Sequence, residues 1–455
     1  MRPTLLLRRS AAPLALLGAA LLSGRGRAED AIDTASRDDL LPEQLSLADA
    51  EQIFLARGLD LLIAQFGAQG AEGDLRAAGA HPNPNLDLGV AYTRATNTDL
   101  FYSGIGNNVP VNLWGFNVGL NDNNLIEDQL SGKRSLRIEA SSKALAAARI
   151  NIDDVKRLEL SQLRQAYVAA VMARLNVDAA RESFETFDKQ LKLNQKRFDE
   201  GAINMLDLSR VLQAQLEALQ ALDTAEAGQQ QAMASLLFLL GVRTGPKKIS
   251  LTSGIDYAPL KQLEGQGVPS LHELALANRT DVKIAAANYE QAEVVVRQAR
   301  RARFPDIALS VGYSEQCSAA SCSSEPAFNA GLSGNLPVLY QQQGEIRRAE
   351  SNALAARRTL DKAKAQVLSD VTQAFAGWDA ATSQVKRMEG KLLQQAKLSR
   401  DLAQVMYQKG AASLIDFMDA QRAYVASELE YHQDLANYWS AVYQLEQATA
   451  KELRP

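Results

Sequence analysis

The chain carries the same arrangement twice, and this duplication limits the folds that it can adopt. Residues 60–92 align without a gap with residues 281–313, each copy a helix-forming stretch followed by a proline and a strand pattern. Further along, residues 197–215 match residues 406–424, with a glycine and an aspartate in register. The repeat spans roughly two hundred residues, far more than the about 20 to 50 residues of a solenoid unit. We therefore expect two similar halves related by pseudo-symmetry.

The N-terminal residues have the composition of an export signal. Arginines precede an apolar run over residues 11–22, and the small residues Gly26 and Ala28 mark a cleavage site. We expect a signal peptide over residues 1–28, and no lipid anchor, since no cysteine follows the apolar run. The mature chain then has 44 basic and 53 acidic residues, a formal charge of −9 that disfavours nucleic acid as a partner.

Four segments alternate large apolar residues with small or polar ones, which is the period of a β-strand. They lie at residues 86–92, 114–120, 307–313 and 328–336. With their flanks they approach the about 9 to 11 residues of a strand that crosses an outer membrane. Beyond the signal, no stretch reaches the roughly 18 to 20 apolar residues of a membrane-spanning helix. We expect strand hairpins near residues 84–122 and 305–338.

The rest of the chain is mostly helix-forming. Residues 128–200 and 342–409 have few glycines and no proline, and are rich in Ala, Leu, Gln, Lys, Arg and Glu. Gly201 and Gly410 end these stretches, and a second helical stretch follows each. Six residues advance by alternate threes and fours, as in a coiled-coil seam: Leu360, Ala363, Val367, Val371, Ala374 and Trp378. Each half thus combines a strand hairpin with a long helical hairpin.

These patterns divide the chain into four parts. We expect the signal peptide at residues 1–28 and the first repeat at 29–242, with its helical tip near residue 201. Residues 243–270 are rich in Gly, Pro and Lys and predict a linker or equatorial segment. The second repeat covers residues 271–455, with its tip near residue 410.

The two cysteines, Cys317 and Cys322, lie in a polar loop between two predicted strands. In an exported protein a short-range disulfide is the leading interpretation, and two free thiols or a metal pair are the alternatives. Because the histidines His81, His272 and His432 are scattered along the chain, we predict no metal site.

Together these features resemble the TolC-type outer-membrane efflux proteins over essentially the whole mature chain. The resemblance rests on the duplication, on the helix-turn segments at 197–201 and 406–410, on the Asp-Phe-Met-Asp-Ala-Gln run at 416–421, and on Leu336-Pro337-Val338. It implies a mainly α fold with a membrane β part. It further implies a homotrimer that shares a 12-stranded β-barrel continuous with a periplasmic α-barrel.

The function implied by this resemblance is that of a passive exit duct in a tripartite efflux or type I secretion system. Its partners would be a periplasmic adaptor, an inner-membrane transporter and outer-membrane lipid, in a Gram-negative bacterium. No phosphate-binding loop, nucleophile elbow or His-Glu-x-x-His motif occurs, so we expect neither catalysis nor a cofactor. The alternative is a soluble periplasmic coiled-coil adaptor or scaffold, which fits the helices but does not explain the four strands.

Two acidic residues are candidates for a gate. Asp416 and Asp419 lie three residues apart on the first turn of a predicted helix, hence on one face. The family carries aspartates here that line the periplasmic aperture, so the resemblance implies six carboxylates in a trimer, a ring that attracts cations. The pattern alone also fits helix capping, because Ser413 lies three residues before Asp416. The two roles are compatible.

The resemblance also implies a latch and a docking surface at the helical tips. Tyr407 and Asp207 match positions that link neighbouring tips in the closed state, although Tyr407 also fits an ordinary interfacial tyrosine. Ala412 stands where some relatives carry a basic residue, which predicts fewer links. Six tip residues are expected either to dock an adaptor hairpin or merely to staple the turns: Gly201, Ala202, Ile203, Gly410, Leu414 and Ile415.

Overall fold

A computed structural model describes the following residues: 42–95, 111–123, 128, 130–242, 249–252, 256–260, 263, 267–318, 326–334 and 337–453. Within these ranges the chain is mainly helical. It also contains a four-stranded antiparallel sheet and a parallel pair of short strands. None of the described helices is long and apolar enough to cross a membrane.

The first half contains two short helices, a strand hairpin and a long helical hairpin. In chain order they are β1 (Gln44–Leu45), α1 (Leu47–Arg57), α2 (Leu59–Gly79), β2 (Asn85–Ala95), β3 (Val111–Asn121), α3 (Lys133–Asp199) and α4 (Met205–Leu239). Helix α3 is unbroken over 67 residues. At 1.5 Å per residue this corresponds to about 100 Å, which is long enough to form a wall rather than a compact core.

The second half repeats this order with one difference. Its elements are β4 (Ser250–Leu251), α5 (Val268–Asn278), α6 (Thr280–Arg301), β5 (Ile307–Ser318), β6 (Ala327–Gly334), α7 (Gln343–Arg387), α8 (Leu393–Gln408) and α9 (Leu414–Thr449). A π-helical turn, Met388–Leu392, separates α7 from α8, whereas α3 in the first half runs on without such a turn.

The four long strands form one sheet in the order β2-β3-β5-β6, so the two halves meet between β3 and β5. The register places apolar residues opposite one another, for example Leu88 against Val118 and Val118 against Tyr313. These side chains share one exposed face, on which Leu88 is 71% and Leu332 77% exposed. Asn, Ser and Gly dominate the opposite face. The predicted alternation and both hairpins are therefore confirmed.

Four helices below the sheet follow the same order as the strands. Helix α2 packs on α3, α3 on α6, and α6 on α7. Ion pairs mark two of these contacts: Lys143 binds Glu290 and Arg300 binds Glu350, both at 2.7 Å. The helices therefore form a row one helix thick, which continues the sheet away from its base. Helix α9 packs on α3, α7 and α8.

The largest hydrophobic core lies where the two halves meet, half-way along the helices. Val367 and Val371 of the predicted seam are fully buried there. Arg164, also buried, binds the carboxylates of Glu51, Glu446 and Glu452 at 2.7 to 2.8 Å. Three charge-assisted contacts are what a buried guanidinium needs to offset its lost hydration. Strand β4, from the predicted linker, pairs with β1 at this level.

Both helical hairpins turn at a glycine in the left-handed conformation. Gly201 has φ of +75° and Gly410 of +74°. In the first turn the N–H of Gly201 donates to the Phe198 carbonyl at 2.9 Å and that of Ala202 to the Arg197 carbonyl at 2.7 Å. These two bonds form a Schellman motif, which satisfies the last carbonyls of the helix and requires a residue without a Cβ clash.

Gly201→Ala and Gly410→Ala should each destabilise the protein by about 1 kcal/mol, because only the left-handed backbone opposes the methyl group. A Cβ added at either glycine would meet no neighbouring side chain or remote backbone atom within 4 Å. Gly228→Ala is the matched control: its Cβ position is equally open but helical, so alanine there should stabilise by roughly 1 kcal/mol. Thermal unfolding at a fixed scan rate measures both. Equal shifts of the same sign would contradict this account.

Candidate functional site at the helical tips

The tips of the two helical hairpins are joined by a small core of their own. It contains side chains from all four helices of the tips, among them Phe187 of α3, Val211 of α4, Tyr407 of α8 and Phe417 of α9. The rings of Tyr407 and Phe417 stack with centroids 5.6 Å apart and planes 15° apart. These contacts attach the second half of the chain to the first half at the tips of the helical hairpins.

Tyr407 provides the polar part of this attachment. Its hydroxyl donates to Asn194 Oδ1 at 2.7 Å in a buried position, and Asn194 Nδ2 in turn donates to the Gln190 carbonyl at 2.8 Å. The guanidinium carbon of Arg197 lies 5.2 Å from the Tyr407 ring centroid. A buried hydroxyl needs such a partner, because an unpaired one retains its desolvation cost.

Asp416 and Asp419 are both exposed at the start of α9. Asp416 forms the capping box anticipated as an alternative: its N–H donates to Ser413 Oγ at 3.2 Å, and its carboxylate accepts from the Ser413 hydroxyl and backbone at 2.7 and 3.0 Å. Hydrogen bonds from the Ser413 side chain and then its backbone hold the pKa of Asp416 below its ordinary value. The cap therefore favours the negatively charged form of Asp416 at the tip.

Asp207 occupies the corresponding position in the first repeat. Its N–H donates to the cap residue Asn204 at 2.8 Å, and its carboxylate lies 3.3 Å from an Arg210 nitrogen. Within one described chain Tyr407 binds Asn194 and Asp207 pairs with Arg210, so the structure does not join the two proposed latch residues to each other.

The six predicted docking residues differ in exposure. Ala202 and Ile415 are exposed and Ile203 is half-buried, on the outside of the turns. Leu414 was expected to be exposed, and this was wrong: it is 8% exposed and belongs to the tip core, because the first turn of α9 directs it toward the packed helices. Met205 and Leu206, 62% and 59% exposed, were missed, although apolar residues directly after a cap are a recognisable signal.

Some of the sequence predictions lie outside the described residues. These are the signal peptide, Cys322 and the side chain of Cys317, so the proposed disulfide stays a prediction. Among the described residues, no group of three His, Cys, Asp or Glu side chains is arranged to hold a metal ion.

The comparison with known families agrees with this architecture. The family model described as "Outer membrane efflux protein" matches residues 52–242 and 271–451, and leaves out the predicted linker. The chain belongs to this family. This confirms the expected efflux function and outer-membrane location, with the helices extending into the periplasm, and favours it over a soluble scaffold.

Relatives and solved structures are similar over most of the chain. The chain is 23% identical over 395 residues to the cobalt-zinc-cadmium resistance protein CzcC of Cupriavidus metallidurans, covering 85% of each. It is 25% identical over 352 residues to the pyoverdine export outer membrane protein OpmQ of Pseudomonas aeruginosa, covering 75% of this chain and 69% of OpmQ. The CusC structure superposes with a TM-score of 0.71 at 19% identity, covering 89% of this chain and 91% of CusC. VceC from Vibrio cholerae gives 0.68 at 19%, covering 90% and 97%. At these identities the structures establish the fold.

Tyr407→Phe should loosen the tips of this efflux protein, because it leaves the buried Asn194 acceptor without its donor, at a cost of about 1 to 3 kcal/mol. We expect a higher mean conductance in planar bilayers. Tyr289→Phe is the matched control, since the Tyr289 hydroxyl bonds only to exposed Glu293 on its own helix in the described chain. Unchanged conductance of Tyr407→Phe relative to wild type would count against the latch.

Proposed function

We propose that three copies of the chain form a passive exit duct through the outer membrane. The observation that supports this most directly is the four-stranded sheet, which has one apolar, exposed face and end strands β2 and β6. Four strands cannot close a membrane barrel, for which about eight is the minimum, and an open edge in lipid leaves backbone groups unpaired. Three copies would supply twelve strands in a ring closed by rotation.

The helices support the same assembly, because the row ends where the sheet ends. Helix α2 and strand β2 form one side of the chain, and helix α7 and strand β6 form the other. A ring requires two different complementary sides on each copy. We therefore assign the interface to α2 with β2 of one copy and α7 with β6 of the next.

Helix α2 carries a second coiled-coil seam that its own chain leaves uncovered. Its buried residues Leu61, Ala64 and Ala68 face α3. On the opposite face, side chains that are mostly exposed advance by alternate fours and threes: Leu59, Ile63, Phe66, Gly70, Gly73 and Ala77. This is the spacing at which one helix packs lengthwise on another. The two glycines of this seam, Gly70 and Gly73, leave open space at their Cβ positions, so a neighbouring helix can approach closely.

The internal repeat supports α7 of the next copy as the occupant. In the alignment of the two halves, the seam residues Phe66 and Gly73 correspond to Ala287 and Val294 of α6, which are 9% and 2% exposed. Ala287 and Val294 share a helix face with Glu290, which forms an ion pair with α3. Since α7 is the counterpart of α3, α2 should bury its seam against α7 in the same way.

The charged residues beside these two helix faces are complementary and support the pairing of α2 with α7 of the next copy. Exposed Asp60 and Asp74 lie beside the seam of α2, and exposed Arg347 and Lys362 lie on the side of α7 opposite its buried seam. Opposite charges flanking a helix interface favour one register and one partner.

Ile63→Asp with Phe66→Asp should abolish the trimer, because each substitution would bury a charge where about 1.5 to 3 kcal/mol of apolar burial is expected. The measurement is the mass of the detergent-extracted protein by light scattering. Gln65→Asp introduces one such charge on α2 outside the seam and should leave the mass unchanged. A trimer that survives the double substitution contradicts the assigned interface.

The helical tips supply the gate in this proposal. Three copies would bring Asp416 and Asp419 together as six carboxylates at the periplasmic mouth, with Tyr407 and Asp207 as the latch. Such rings select cations and bind multivalent ones. The exposed residues Ala202, Ile203 and Ile415, joined by Met205 and Leu206, would contact the hairpin of a periplasmic adaptor, while Gly201, Gly410 and Leu414 shape the turns.

Transport through the duct requires no catalytic step, so an inner-membrane transporter would supply the driving force. The two curated relatives compared above are named for metal-ion resistance and for pyoverdine export. Because equally distant relatives carry such different names, we assign the choice of substrate to the transporter rather than to the duct.

Single-channel recording in a planar bilayer tests the duct and its gate. We expect a cation-selective pore that a trivalent cation blocks in wild type and not in Asp416→Ala/Asp419→Ala. The matched control is Asp223→Ala/Glu226→Ala, an acidic pair of the same spacing in the middle of α4. If no pore forms, the duct proposal fails. If block survives in Asp416→Ala/Asp419→Ala, the gate lies elsewhere.

A further inference from the structure

Helix α9 carries an aromatic residue at every seventh position from the tip to the equator. These residues are Phe417, Tyr424, Tyr431 and Tyr438. The first two contact α8, through the Tyr407 ring and the Arg400 guanidinium, and the last two contact the Glu389 carboxylate and the Ala258 carbonyl. The spacing of seven keeps all four side chains on one face of α9, so together they hold this helix to the elements that they contact.

The second of these contacts, at Tyr424, is made by Arg400 of α8. Its guanidinium carbon lies 4.0 Å from the ring centroid of Tyr424 on α9. One of its nitrogens lies 3.6 Å from a carboxylate oxygen of Glu182 on α3, and another 2.8 Å from Asp401. The side chain is only 15% exposed. One cation thus links three helices, two from the second half and one from the first.

The same guanidinium acts on two carboxylates that belong to different halves, Glu182 and Glu428. The Tyr424 hydroxyl donates to Glu428 at 3.2 Å, and Glu428 is half-buried on α9. Burial, followed by repulsion from Glu182, raises the pKa of Glu428, while Tyr424, Arg400 and Lys397 oppose that shift. Without Arg400, Glu182 and Glu428 would repel one another across the boundary between the halves.

Helix α8, which carries Arg400, is suited to movement. Helix α8 has a single buried residue, Tyr407, and packs along its length on α9. The π-helical turn Met388–Leu392 lies between α8 and the firmly packed α7, and Tyr431 donates to Glu389 within that turn at 2.7 Å. Such turns interrupt the regular hydrogen bonding of a helix and often mark functional positions. Helix α8 therefore has little buried surface of its own to oppose a change in its angle to α3.

We propose that Arg400 is a second latch, seven residues above Tyr407, which holds α8 and α9 against α3 and so keeps Asp416 and Asp419 in the closed aperture. This inference rests on the proposed duct. Arg400 positions the gate through Tyr424 and Glu182 and does not line the aperture.

The test is single-channel recording of Arg400→Gln in planar bilayers. We expect the ratio of open to closed channels to rise roughly tenfold, the effect of losing a partly buried cation–π contact together with an ion pair. Arg400→Lys should lie in between, because ammonium keeps the charge but not the planar guanidinium. Arg149→Gln is the matched control: it removes the same charge from an arginine of α3 that is 62% exposed and paired with Glu72 on α2.

Two readouts separate a latch from a merely structural role. Glu182→Gln added to Arg400→Gln should restore part of the closed population, because it removes the repulsion on Glu428. Acidification should do the same in Arg400→Gln alone: a raised pKa means that Glu428 takes up its proton early as pH falls, and a neutral Glu428 no longer repels Glu182. Arg400→Gln/Glu428→Gln should lack this response to pH.

The outcomes are distinct. A wild-type protein that forms no pore overturns the duct and the latch together. If wild type conducts and is blocked by the trivalent cation, but Arg400→Gln behaves like Arg149→Gln, the latch alone is overturned. Trimer mass and thermal unfolding are measured for every variant. If Arg400→Gln fails to assemble, the ratio of open to closed channels is compared between Arg400→Lys, Glu182→Gln and wild type, and an unchanged ratio in both variants overturns the latch.

Discussion

The constraint on which the rest of the structure depends is that backbone hydrogen bonds must be satisfied in a membrane. One chain supplies four strands with an apolar outer face, and a sheet of that width has two edges that lipid cannot pair. The four helices beneath the sheet follow the same order as the strands, so the edges of the sheet continue as the edges of the helical row. The uncovered seam on α2 is then the helical counterpart of the unpaired edge of β2, and one assembly would resolve both.

Stability is distributed unevenly along this wall, and that distribution matters for function. Near the middle, Arg164 and its three carboxylates sit within a large apolar core that joins both halves. Toward the tips the halves share a small cluster and a few polar contacts, namely the Tyr407 hydrogen bond, the Arg197–Tyr407 contact, the exposed Arg422–Glu217 ion pair and the longer Arg400 contact. In the proposed duct, a firmly packed middle and weakly joined tips would allow the aperture to change while the helices above it keep their arrangement.

Pattern alone predicted most of the fold, for physical reasons. Alternation places Leu86 to Leu332 on one face because a strand has a period of two, and helices run where glycine and proline are scarce. The partners of individual side chains did not follow in the same way. The contact of Tyr407 with Asn194 joins residues 213 positions apart. Leu414 was expected to be exposed but is buried, because its environment is set by helices from the other half.

The amino-acid order decided that the chain is duplicated, where its strands and helices run, and that a strongly helical protein carries a sheet with one apolar face, since these are local properties of period and composition. The tertiary structure decided the rest. It showed that β3 and β5 join the halves, that α2 keeps an uncovered seam, and that Arg400 bridges three helices. These features depend on distances between segments remote in sequence, and only packing brings such segments together.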